Sequence, residues 1–125
     1  MKDEDYMLAR ARQIVDEEVE ARVIVCYPDI VAAKDAAWKF AKESSNGTWM
    51  SQAMTYIANT GSLVLFRVVT EENKFDHAGI AVTHAFDMGI YYKAADYIKT
   101  RIRSPSYKGK YPMGLYNKNS SSVTN

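Results

Sequence analysis

The stretch from Gly79 to Arg103, GIAVTHAFDMGIYYKAADYIKTRIR, constrains this chain most. It opens on an apolar run, Ile80–Phe86, that reads as a buried strand, and reaches an acid, Asp87, at the strand's carboxyl end. It then enters a helix over Tyr91–Ile102, with Tyr92, Ala95, Ile98 and Ile102 on its inner stripe, closed by Pro105. Strand, acid and helix in that order indicate an open α/β sheet, a class that gathers its chemistry outside the carboxyl ends of its strands.

The rest of the chain agrees with that class. Residues 3–19 carry Met7, Leu8, Ala11, Ile14, Val15 and Val19 at helical spacing. Glu17, Glu18 and Glu20 crowd the far end of this helix, where its dipole disfavours acids, and the basic C-terminal segment is one remedy. Arg22–Tyr27 (RVIVCY) is a β-branched run that suits a strand buried on both faces. Pro28 ends it, and Asp29 is placed to cap a helix over Ile30–Ser44 with Ala33, Ala37, Phe40 and Ala41 inside. Ser44-Ser45-Asn46-Gly47 stops that helix. Residues 48–54 fit either a helical turn or an irregular approach. Thr55–Ala58 and Ser62–Val69 read as a hairpin turning at Asn59-Thr60-Gly61, and Glu71–Gly79 as a polar loop. The expected fold is a small three-layer α/β sandwich with a mixed, mainly parallel sheet flanked by helices. A single domain spans residues 1–116, and 117–125 form a flexible polar tail.

Composition narrows the function classes. No apolar run is long enough to cross a bilayer, so no membrane role is expected. The charged start, Met-Lys-Asp-Glu-Asp, has no secretory character, and a solitary Cys26 suits a reducing cytoplasm. The net charge of +1 is unevenly spread: residues 1–20 sum to −4 and residues 90–125 to +6. Lys93, Lys99, Arg101 and Arg103, interleaved with Tyr91, Tyr92 and Tyr97, form an aromatic–basic cluster. With Lys108 and Lys110 they are the candidate contacts to a nucleic-acid backbone, against the blander reading of a solvated helix face and tail.

Asp76, His77, His84 and Asp87 are the one acid–imidazole group. His84 and Asp87 lie three apart on a strand and so face opposite ways, which argues against a shared metal. Asp87 remains only a remote metal candidate, and no metal or cofactor is expected. His84 reads as a packed histidine with a backbone partner, and Cys26 as a small core residue.

The order of these signals resembles the ATPase domain of phage large terminase subunits, the DNA-packaging motors. RVIVCYPDIVAAKDAAWKF (residues 22–40) is similar to that family's strand, Pro-containing motif and helix. NTGSLVLFR (59–67) is similar to its hairpin turn and Ile-x-Phe-Arg arm. GIAVTHAFDM (79–88) lies against its Thr-His strand and Asp-Glu pair, and TRIRSP (100–105) against its Arg-x-Arg-Ser-Pro element. The resemblance implies part of a P-loop NTPase core, with Asp87 as a degenerate form of the metal-holding acid. It also shows departures. These 125 residues contain no Gly-x-x-x-x-Gly-Lys-Ser/Thr, and Met88 stands where the family's water-activating Glu belongs. A thioether cannot orient or deprotonate water.

The resemblance and its departures imply a phage-derived, terminase-like protein without self-sufficient ATPase activity. It would act in the host cytoplasm as a DNA-packaging accessory or interaction module. The expected partner is a protein, or a second copy, met through an outer strand of the sheet, and DNA is a further candidate. The alternatives are half of a split terminase completed by another chain, and a small nucleic-acid-binding protein.

Overall fold

The computed structural model describes residues 3–117 and 120–124. Helix α1 (Asp3–Glu17) leads into β1 (Arg22–Tyr27), and α2 (Ile30–Glu43) follows. Then come β2 (Gly47–Met50), β3 (Thr55–Ala58) and β4 (Leu63–Val68). A 3-10 turn at Lys74–His77 precedes β5 (His84–Asp87), α3 (Tyr92–Lys99), β6 (Gly114–Asn117) and β7 (Ser120–Thr124). One seven-stranded sheet runs in the order β2-β3-β4-β1-β5-β6-β7. Its centre, β4-β1-β5-β6, is parallel, and its margins, β2-β3-β4 and β6-β7, are antiparallel. With helices on both faces this is the expected three-layer α/β sandwich.

Alternation along β1 divides the interior in two. Val23, Val25 and Tyr27 face α1 and α2; Ile24 and Cys26 face α3. The two-helix side is large and aromatic. Phe40 meets Tyr56 and Phe66 edge-on at 5.3 Å each, and Phe86 stacks on Tyr116 at 4.8 Å. Such rings contribute beyond their buried area by about 0.5–1.5 kcal/mol per pair. The α3 side is smaller, built on Leu65, Val82, Ala85, Ala94 and Ile98.

Several boundaries differ from the sequence expectation, each for a physical reason. The strand expected over Ile80–Phe86 begins at His84, because β1 starts at Arg22 and offers no partner further upstream. Val82 instead forms an isolated bridge to Ile102, which draws Ile102 out of α3 and ends that helix at Lys99. Tyr92, expected on the inner stripe, is 62% exposed, and Ala94 takes the inner position. Val19 falls beyond the end of α1 and is exposed. The ambiguous stretch 48–54 resolves into strand β2 and a turn. Gly47 opens that strand because a Cβ there would lie 2.3 Å from the Ile57 carbonyl oxygen. Beyond β6, the backbone of Ser120–Thr124 pairs along the outer side of the sheet. Of the segment expected to be a flexible tail, Asn117 ends β6, and Lys118, Asn119 and Asn125 lie outside the described residues.

Candidate functional site

The chain leaves β1 toward β4 on one side, then returns past β1 to β5 on the other. The carboxyl ends of β1 and β5 therefore flank the point where the winding reverses, the usual ligand position in open α/β sheets. From β1 this point receives Tyr27, Pro28 and Asp29; from β5 it receives Asp87 and Met88.

Local chemistry fixes these residues. The Asp29 carboxylate accepts from the Ala32 amide at 2.9 Å and caps α2, as its position in the sequence implies. Asp87 Oδ1 accepts from the Gly89 and Ile90 amides at 2.8 and 2.9 Å, closing the turn into α3. Gly89, at φ +101°, supplies the left-handed residue that this turn requires. The Met88 amide donates to the Cys26 carbonyl at 2.9 Å and ties the turn to β1. Tyr27, almost wholly buried, donates its hydroxyl to Glu4 Oε2 at 2.5 Å. Burial, reinforced by the Glu4 and Asp5 carboxylates, pushes the Tyr27 phenol well above its ordinary range, so it remains a donor at neutral pH. Burial and then Asp87 push the Cys26 thiol up strongly, leaving it unreactive at neutral pH.

Two clefts meet at Pro28. One, of about 260 Å³, is lined by Glu4, Tyr27, Pro28, Ala32 and Met88. The other, of about 390 Å³, is lined by Pro28, Val69, Thr70, Glu71, Glu72 and Tyr91. Their floor is apolar and their rim acidic. A phosphate here would find no N–H at Pro28 and a carboxylate already on the first turn of α2. The sequence singled out Asp87 and Met88, but not Glu4, Ala32, Glu71 or Glu72. These reach the site from separate segments: Glu4 from the start of α1, Ala32 from α2, and Glu71 and Glu72 from the loop after β4.

The acid–imidazole group does not converge. His84 packs on the two-helix side, edge-on to Tyr107 at 5.1 Å. Its Nε2 donates to the Tyr111 carbonyl at 3.0 Å, and its Nδ1 lies 2.6 Å from the Thr83 hydroxyl. It is the packed histidine with a backbone partner that the sequence suggested, and burial lowers its pKa. Asp76 and His77 sit in the 3-10 turn beside α3. Among the described residues, no three His, Cys, Asp or Glu are placed to hold a metal ion.

The basic candidates separate into groups. Lys93 lies on the first turn of α3, at the carboxyl end of the sheet, and Lys99 on its last. Arg101 and Arg103 lie at the amino end, where their backbones bond to Val82. Arg101 also donates to the Ala78 carbonyl at 2.5 Å and stacks near Tyr97. Lys108 is exposed, whereas Lys110 pairs with Glu17 at 2.9 Å, and its amide donates to Glu18. The basic segment thus does meet the acidic end of α1. Tyr91 and Tyr92 pack together at 4.7 Å, but Tyr97 turns to Phe75.

No described helix is long and apolar enough to cross a membrane. Comparison of the chain with protein-family models, with curated proteins and with solved structures gives no match.

Proposed function

We propose that this chain is a phage-derived, terminase-ATPase-like protein that works without an ATPase activity of its own, as a DNA-packaging accessory or protein-interaction module. The single observation that carries this reading is the state of the β1–β5 crevice. The two strands lie side by side and parallel, with Asp87 opposite Cys26, as a nucleotide-driven scaffold requires. Yet the groups around them repel phosphate and do not activate water. Asp87 spends one oxygen on its own turn, Met88 follows it, Glu4 lines the cleft, and the Asp29 carboxylate already occupies the first turn of α2.

Isothermal titration with ATP and magnesium tests this directly. Neither micromolar binding nor phosphate release is expected; binding with turnover overturns the reading. A second reading, nucleic-acid binding, draws support from Arg22, Arg101 and Arg103, which meet around Val82 and Thr83. It requires association with DNA that weakens steeply with salt and is lost in the Arg101→Glu, Arg103→Glu double variant. Salt-independent association excludes it.

A further inference from the structure

We propose that the carboxyl end of the sheet is a docking groove for a basic polypeptide segment carrying an apolar anchor side chain. This rests on the interaction-module reading and names the partner's chemistry. The cleft against Tyr27 and Met88, at about 260 Å³, has room for one inserted side chain. From Pro28 the second cleft continues past Val69 to Tyr91, which is 49% exposed, so the groove extends beyond a single residue.

Charge fixes the sign of the occupant. Glu4 stands at one mouth and Glu71 and Glu72 at the other, with Asp29 beside the shared Pro28. Lys74 offsets part of this by pairing with Glu71 at 3.0 Å, and Lys93 is a second cation at this end of the sheet. An Arg- or Lys-bearing segment would meet carboxylates on both sides of its anchor. A nucleic-acid backbone would be repelled by the same groups.

The probe is a fluorescein-labelled peptide, acetyl-Arg-Leu-Arg-Gly-Arg-Leu-Arg-Gly-amide, followed by anisotropy and by amide chemical-shift mapping on the full chain. The controls replace Arg by Glu, or Leu by Gly. The Arg-Leu peptide is expected to bind, with shifts centred on Tyr27, Ala32, Met88, Val69 and Tyr91. The Glu71→Lys, Glu72→Lys double variant is expected to weaken it by about tenfold or more, as is Ala32→Leu, which fills the smaller cleft. Circular dichroism confirms that each variant is folded, and Glu71→Gln with Glu72→Gln serves if the charge reversal is not tolerated.

Four results overturn the proposal: equal binding of the Glu-Leu peptide, shifts mapping elsewhere, no binding at all, or self-association that occupies this end of the sheet. Failure here with no ATP binding leaves the functional reading intact; ATP binding with turnover removes both.

Discussion

The two ends of the sheet are built on different principles. At the amino end, hydrogen bonds join residues far apart in sequence. Ser62 Oγ accepts from the Ala21 amide at 3.0 Å and donates to the Glu18 carbonyl at 2.6 Å. Thr83 Oγ1 accepts from the Arg22 amide at 2.9 Å and also reaches His84. Thr60 donates to the Val15 carbonyl, and Tyr111 to Glu17. At the carboxyl end, Asp29, Asp87 and the Thr70–Asn73 pair each satisfy amides within three residues of themselves. Long-range side-chain bonds are more numerous at the amino end; at the carboxyl end the turns close locally, tied to the rest by Tyr27 to Glu4 and by the Met88 amide to Cys26, with clefts between them. Stability concentrates at the first, and surface free for a partner at the second.

The strongest challenge to this contrast is Thr83→Val. It keeps the shape but strips the part-buried Arg22 amide and the buried His84 ring of their hydroxyl partner, with an expected loss of about 1–3 kcal/mol in urea denaturation. A loss under half of that would mean the amino end is not closed as described. The next test is pH. His84 has its folded pKa below the 6.5 of the free side chain, so the unfolded chain binds the proton more readily. Its contribution is complete above pH 6.5 and falls as the pH drops toward the folded value, with a slope of at most about 1.4 kcal/mol per pH unit. His84→Gln, which retains a donor for the Tyr111 carbonyl, should flatten the unfolding curve below pH 6.5; an unchanged slope would assign it to other groups, His77 first. The smallest effect is expected from Asp29→Ala, a solvent-exposed cap at the carboxyl end, at about 1 kcal/mol or less. If it destabilises the fold as much as Thr83→Val, the two ends do not differ.

Local signals in the sequence were strong where one residue settles one feature. The β-branched run of β1, the Asp29 cap and the turn at Gly61, whose φ of +95° only glycine adopts freely, all stand where the sequence placed them. Features that depend on pairing were less legible. Ile80–Val82 has strand character, but a strand needs a neighbour, and β1 does not extend that far back. In β2, a glycine, a threonine, a tryptophan and a methionine carry no clear period, and contact with β3 decides their state. The clefts were the least legible. They arise where the start of α1, the first turn of α2 and the loop after β4 meet at the carboxyl end of β1, a tertiary event with no local mark.

The central position of β1 has a consequence for synthesis. Arg22 leaves the ribosome 41 residues before its partner Leu63 and 61 before Thr83, whose hydroxyl receives its amide. At about 5–20 residues per second, this apolar strand waits roughly two to eight seconds for its first neighbour, and longer for its second. Val23–Tyr27 is thus a segment of the nascent chain in need of shelter, and α1, made just before it and packed on the same face, is already available to provide it.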